Sequence, residues 1–303
     1  MRCFVSIIWE KMLILHSHRT KGVLGNPTSH ITMSENIITS TQNPKVRLLL
    51  TLQQKSSERR ARELFVVEGV REVSHCQKSG LAVETLFYCP ALLDDDEAYA
   101  IINEVPSSRR FQVTQEVYAK MAYRSGTEGI MAEVKPRKRT LGDLSLGTCP
   151  LIVVLESVEK PGNLGAVLRS ADAANADAVI ICDPLTDLYN PNLIRSSLGA
   201  VFTVPCVACT SEECINFLKE KGVRILTAQL QDSHLYYDTD MTTATALVMG
   251  KESTGLSEQW RRVADAHIRI PMMGRLDSLN VSVSTAILLF EAVRQRLSHI
   301  IEE

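Results

Sequence analysis

From Leu151 onward the chain alternates short apolar runs with amphipathic segments. The runs LIVVLESV, AVIICD, VRILTAQ, ALVMG and HIRIPM have the length and β-branched content of buried strands. Between them, NLGAVLRSADAANA, NLIRSSLG and a segment ending at Gly222 carry apolar residues at helical spacing. The last of these opens with a capping box, Thr210 to Glu213. FTVPCVAC predicts another strand, and Val281 to about Ser298 the closing helix. Such alternation with short connections predicts an α/β fold whose parallel sheet is covered on both faces. Ligands in such sheets bind at the carboxyl ends of the strands.

Residues 37–134 read as a smaller α/β block. A polar, Arg-rich helix (QQKSSERRARE) precedes the strand LFVVEG, and a second helix runs from Val70 to about Lys78. ETLFYC and RRFQVT predict strands, with DDDEAYAIINEV helical between them, and the block closes on EGIMAEV. The basic, proline-bearing stretch KPRKRT follows as a boundary. The expected organisation is therefore an extension or mis-set start over 1–32, a first domain at 33–135, a linker at 136–149 and a second domain at 150–303.

Composition narrows this only a little. The chain has 303 residues, 45% of them apolar, which suits a folded protein of two ordinary domains or one large domain with an appendage. A net charge of −2 gives no global basic field, so a nucleic-acid partner would be held by local patches. The eight cysteines lack the dense spacing of a secreted disulfide scaffold. Cys206 and Cys209 form a CxxC with Cys214 nearby, but no second pair follows. Reduced thiols in a cytoplasmic protein, with no metal, are the reading adopted. No run approaches the length of a membrane span. Glu10 and Lys11 interrupt the apolar N-terminal patch and argue against a signal peptide, leaving a transit peptide as the alternative.

Three strand-to-helix corners concentrate unusual residues. At EKPGNLGAVLRSADAA, Pro161 and Gly162 make a turn, Asn163 is suited to cap the helix, and Arg169 follows six residues on. At MGKESTGLSEQW, the pattern GxExxG resembles a dinucleotide fingerprint. However, Glu252 stands where a glycine must admit a pyrophosphate, so nicotinamide or flavin binding is disfavoured. At IPMMGRLDSLNVSVSTA, Asn280 can cap the closing helix, which leaves Asp277, Ser278 and Ser282 in excess of what a helix start requires. Singly, these corners read as two capped helices and a glycine loop; jointly, at one sheet edge, they point to a ligand site.

PGNLGAVLRSADA, LVMGKESTGLS and IPMMGRLDSLNVSVSTA closely resemble, in order and spacing, the three motifs of the SpoU/TrmH family of RNA ribose 2′-O-methyltransferases. The match covers about half the chain. FVVEGVREV is similar, more weakly, to that family's L30e-like substrate-binding domain. The resemblance implies a SPOUT-type domain with a C-terminal trefoil knot, which general rules of chain topology would not have suggested. It also implies a homodimer that binds S-adenosylmethionine and acts on RNA, with neither DNA nor a membrane as partner. Asn163, Arg169, Glu252, Ser278 and Asn280 match active-site positions. Gly250, Ile270 and Leu279 match positions that hold the cofactor largely through backbone groups. Lys160 departs from the Asp that many members carry ahead of PGNLG.

The implied reaction is methyl transfer to a ribose 2′-hydroxyl, in ribosomal rather than transfer RNA. Arginine side chains stay charged at neutral pH, so Arg169 reads as a cation beside the developing alkoxide or a phosphate rather than as a base. Arg47, Arg59, Arg60, Arg62 and the KPRKR stretch are the candidate RNA contacts. A base methyltransferase of the wider superfamily and a non-catalytic RNA-binding protein of the same fold are the alternatives.

Overall fold

The computed structural model describes residues 36–302, apart from Asp95, residues 124–127, Glu252 and the side chains of residues 299–302. The expected N-terminal extension thus lies outside the described residues. The first lobe holds β1 (Ile37–Ile38), β2 (Phe65–Glu68), β3 (Val83–Tyr88), β4 (Arg110–Val113) and β5 (Ile130–Val134), in the order β1-β4-β3-β5-β2. β5 runs antiparallel to both neighbours, whereas β4 is parallel to β3 and β1. Helices α1 (Pro44–Gln54), α2 (Ser56–Arg62), α3 (Val70–Lys78), α4 (Asp96–Glu104) and α5 (Gln115–Met121) surround this mixed sheet. Asn43 caps α1 by accepting the Lys45 N–H at 2.9 Å. Leu49, Leu52, Phe87, Tyr118 and Met131 fill the core between α1, α5 and the sheet.

The polar stretch QQKSSERRARE is not one helix. Extended backbone at Lys55 (φ −115°, ψ 111°) separates α1 from α2. The break turns Arg59 inward, where its guanidinium donates to the carbonyls of Leu52 and Gln53.

The second lobe holds β6 (Leu151–Glu156), β7 (Ala178–Cys182), β8 (Cys206–Cys209), β9 (Arg224–Ala228), β10 (His234–Leu235), β11 (Thr245–Met249) and β12 (Ala266–Arg269). All pair in parallel, in the order β10-β12-β9-β11-β6-β7-β8. Every residue of β6, β7 and β11 is buried, as strands covered on both faces must be. Helices α6 (Pro161–Ala173), α7 (Pro191–Ser196), α8 (Ala200–Thr203), α9 (Ser211–Glu220), α10 (Glu258–Val263) and α11 (Val281–Glu302) complete the lobe. α9 and α10 cover one face of the sheet, with Cys214, Leu218 and Trp260 in its core, while α11 packs against β11 and α6.

The capping box of α9 forms as expected, with Glu213 accepting from the Thr210 backbone at 2.8 Å. FTVPCVAC departs from expectation. Ala200–Thr203 is helical, with the Val204 N–H bonded back to the Ala200 carbonyl, and only Cys206–Cys209 is strand. Pro205 lacks a backbone donor and separates the two pieces. At Gly165 a Cβ would lie 1.9 Å from Ser196 Oγ, so the second glycine of PGNLG lets α6 and α7 approach closely.

The lobes meet through buried contacts. Phe65 stacks on Tyr189 with ring centroids 4.2 Å apart, and Arg59 pairs with Asp187 at 2.6 Å. Tyr189 Oη accepts the Arg137 backbone N–H at 3.0 Å, tying the connecting stretch to the same joint. Among the described residues no helix is long and apolar enough to cross a membrane.

Candidate active site

Register brings the three corners together. Met249, the last residue of β11, pairs with Leu155 near the end of β6, and β12 ends beside them across β9. The loops that follow surround a cavity of about 380 Å³, lined by Gly250, Leu256, Ile270, Met272, Ser278, Leu279 and Leu288 among others. That volume falls within the roughly 300–1,000 Å³ of small-molecule sites. A second cleft of about 280 Å³ adjoins it, lined by Val158, Glu159, Lys160, Asn163 and three residues that also border the first: Lys251, Ser253 and Val281.

The loop after β11 is held by its own backbone. The Gly255 N–H donates to the Lys251 carbonyl at 2.9 Å, and the Ser257 N–H donates to the buried Glu156 carboxylate at 2.8 Å. A Cβ at Gly250 would lie 2.4 Å from the Gly255 carbonyl carbon and 2.5 Å from the Leu256 nitrogen. Only a glycine fits there, which leaves the loop folded tightly on itself at the cavity edge.

Asn163 is not the helix cap. Pro161 opens α6, with Lys160 at the cap position, so Asn163 stands within the first turn of the helix rather than at its cap. Its Oδ1 accepts from Asn280 Nδ2 at 3.1 Å. Asn280 does cap, since its Oδ1 accepts the Ser282 N–H at 3.0 Å and the Ser282 hydroxyl at 2.6 Å. Ser278 reaches Asp277 Oδ1 at 3.3 Å on the cavity rim.

Of the residues singled out from sequence, Gly250, Ile270, Leu279 and Ser278 line the larger cavity, Asn163 lines its neighbour, and Asn280 bonds to Asn163. Arg169 is not brought to them. Six residues beyond Asn163 it points to another face of α6, about 120° away at 100° per residue, and it is exposed. Glu252 lies outside the described residues.

Glu156 and Lys251 escaped the sequence reading. Lys251 borders both cavities and pairs with Glu159 at 3.6 Å, joining the first two corners. Its position directly after Gly250 was the available signal. Among the suggested RNA contacts, Arg59 is excluded by its burial against Asp187. Arg62 pairs with Glu58, Lys138 with Glu63 and Lys135 with Glu84, whereas Arg47 and Arg60 stay exposed.

An all-parallel sheet with a glycine-built cavity and an amide pair at its carboxyl edge defines an α/β domain shaped for a small organic cofactor. The chain belongs to the SpoU rRNA methylase family, whose model matches residues 150–290; an MRM3-like substrate binding domain matches residues 43–132. It is 37% identical over 212 residues to the 23S rRNA (guanosine-2′-O-)-methyltransferase RlmB of Vibrio vulnificus, covering 67% of this chain and 86% of that protein. The corresponding Escherichia coli K12 protein is 41% identical over 176 residues, or 56% and 72% of the two chains. Among solved structures, an RNA 2′-O ribose methyltransferase superposes with TM-score 0.76 at 36% identity, covering 86% and 99% of the two chains. The AdoMet-bound rRNA methyltransferase of Sinorhizobium meliloti superposes with TM-score 0.77 at 30% identity, covering 86% and 97%.

Proposed function

We propose that this protein methylates a ribose 2′-hydroxyl of a guanosine in large-subunit ribosomal RNA, using S-adenosylmethionine. The observation that carries the reading is the adjacency of two clefts: a glycine-built cavity beside one bordered by Asn163, with Lys251, Ser253 and Val281 shared between them. S-Adenosylmethionine has an adenine edge, hydroxyls and an amino-acid end but no phosphate. A cavity of backbone edges at Gly250, Ile270 and Leu279 with apolar walls at Leu256, Met272 and Leu288 fits those groups. When bound, it supplies an electrophilic methyl group to the acceptor oxygen.

The chain's residues then bind and orient. Asn163 and Asn280 hold each other at the openings of α6 and α11 and present amide groups to the ribose. Ser278 borders the cofactor cavity and orients the acceptor there. Arg169 acts as a cation on the RNA phosphate or on the oxygen losing its proton. Because it lies on another face of α6, it takes part only when RNA or a second protomer completes the centre. Glu252 is assigned by family resemblance alone.

The reading includes a homodimer and a trefoil knot. The apolar side chains Val283, Phe290 and Leu297 of α11 are each close to half exposed and recur every seven residues, a seam suited to a second copy. β11 inserts between β9 and β6, and β12 between β10 and β9, so late segments enter positions bounded by earlier ones, as knotting requires. Residues 33–135 form the RNA-binding domain, joined through 136–149 to a methyltransferase domain at 150–303. Arg47, Arg60 and the KPRKR stretch supply phosphate contacts whose affinity falls as salt rises. The reading also includes cytoplasmic placement.

The test is incubation of the purified protein with methyl-labelled S-adenosylmethionine and unmodified ribosomal RNA, followed by digestion to nucleosides. Label in 2′-O-methylguanosine from the large-subunit RNA is expected. Label in a methylated base, or none despite cofactor binding, overturns the reading.

A further inference from the structure

Side chains alternate along a strand, so residues three apart face opposite sides of the sheet. In β8 this splits the CxxC. Cys206 lines a cavity at the lobe joint, while Cys209 packs against the core beneath α9. The pair is therefore not a chelate. A different set converges instead. Cys182 ends β7 and is the register partner of Cys209, and Cys214 sits in the first half of α9, directly over them. The sulfurs of Cys182, Cys209 and Cys214 all lie within 4.8 Å of one another.

We infer that these three thiols form a binding site for a soft, closed-shell metal ion such as Zn²⁺. Sulfurs bound to one zinc at about 2.3 Å stand roughly 3.8–4.0 Å apart, so closing the set takes shifts of no more than about 1 Å. Binding is written as three thiols plus Zn²⁺ giving a tris-thiolate complex and three protons, with the fourth position left to water or an added ligand. Thiolates select such ions over Mg²⁺ or Ca²⁺, and no carboxylate belongs to the set.

Cys182 and Cys214 are buried and Cys209 is half-buried, so the ion enters past Cys209. The surroundings are ordered. Trp260 Nε1 donates to Ser211 Oγ at 3.1 Å, and Ser211 Oγ donates to Asp183 at 2.6 Å. None of the three cysteines lines the cofactor cavity, so the ion would clamp β7, β8 and α9 without entering the methyl-transfer chemistry.

The test uses the full-length, fully reduced, metal-free protein. Zn²⁺ is titrated in competition with a chromophoric chelator, and Cd²⁺ is followed by its thiolate charge-transfer absorption. The expected result is one ion per chain, with affinity weakened by at least about 100-fold in Cys209→Ser and in Cys214→Ser. Cys206→Ser and Cys149→Ser should bind as the parent does. Zn²⁺ should also raise the melting temperature of the parent but not of Cys209→Ser. Should the buried Cys214→Ser fail to fold, the half-buried Cys209→Ser carries the comparison. Unchanged binding in Cys209→Ser, equal loss in Cys206→Ser, or no binding by the parent would each overturn the site, whatever the RNA assay gives.

Discussion

Asn280 Nδ2 donates to Asn163 Oδ1 at 3.1 Å across 117 residues of chain, joining the openings of α6 and α11. The same Asn280 side chain caps α11 through its oxygen. The two tasks can be separated by substitution. Asn280→Asp keeps a good cap but removes the N–H donor, whereas Asn280→Ala loses both. Urea unfolding should show Asn280→Ala less stable by about 1 kcal/mol and Asn280→Asp near the parent. Methyl transfer should drop in both, by about tenfold or more for one positioning bond lost. Parent-like turnover in Asn280→Asp would remove the amide pair from the centre.

Gly250 offers a test of the cofactor cavity that leaves RNA contacts alone. A methyl group there would meet Gly255 and Leu256 backbone atoms at 2.4–2.6 Å, and backbone cannot rotate aside as a side chain can. The loop must shift, and its shift reshapes the cavity edge. Calorimetric titration of Gly250→Ala with S-adenosylmethionine should show affinity reduced by about tenfold or more, equivalent to about 1.4 kcal/mol. RNA binding should be unaffected, and unchanged cofactor affinity would place the cofactor elsewhere.

Arg169 is exposed, and none of the hydrogen bonds or ion pairs found among the described residues involves it. Its removal should therefore cost little stability, within about 0.5 kcal/mol for a surface substitution. Its proposed role needs charge at the reacting oxygen or phosphate. Arg169→Ala should abolish turnover while cofactor affinity persists, and Arg169→Lys should recover part of it. Single-turnover assays with labelled cofactor separate these outcomes, and near-normal turnover in the alanine variant would end the assignment.

What was legible in the sequence follows how local the deciding physics is. Unbroken apolar runs such as LIVVLE became buried parallel strands, and Thr210 with Glu213 formed their box, because both depend on neighbours a few residues away. In FTVPCVAC β-branched content and a proline compete, and the proline confines the strand to Cys206–Cys209. Asn163 reads as a cap in sequence, but Pro161 occupies the first helical position rather than a turn, and the cap moves back to Lys160. Arg59 reads as a candidate RNA contact in sequence, but the break at Lys55 turns it toward Asp187, a partner 128 residues away. The convergence of Cys182 with Cys209 and Cys214 likewise required strand register, which spacing along the chain does not reveal.

Glu133 makes stability depend on pH. It lies within β5, 2% exposed, and its Oε1 lacks a hydrogen-bond partner. Burial pushes its carboxyl up to about 7, against an opposing hydrogen bond from Thr85. Between the ordinary carboxylate value and about 7, the folded chain holds a proton that the unfolded chain has released. Its contribution is therefore fully present in acid and lost as pH rises, amounting to a cost on the order of 3 kcal/mol above neutrality. Glu133→Gln should remove this term. Urea unfolding from pH 5 to 8 should show the variant gaining on the parent as pH rises, and a constant difference would show that the carboxyl titrates normally.

The seam on α11 decides whether one chain can complete the centre. Val283, Phe290 and Leu297 are 47%, 49% and 44% exposed, and they recur at the seven-residue interval that keeps one face turned to a partner helix. Isolated exposed apolar residues need no explanation, but a stripe along a helix does. Val283→Glu with Phe290→Glu places charge on that face without touching the core side, where Leu288, Leu289 and Ala292 are buried. Light scattering should give twice the chain mass for the parent and the single-chain mass for the variant, with the folded spectrum retained. If Arg169 acts across the interface, turnover should be lost in the variant while its affinity for the cofactor persists. A monomeric variant with full activity would confine the centre to one chain and move Arg169 from catalysis to RNA binding.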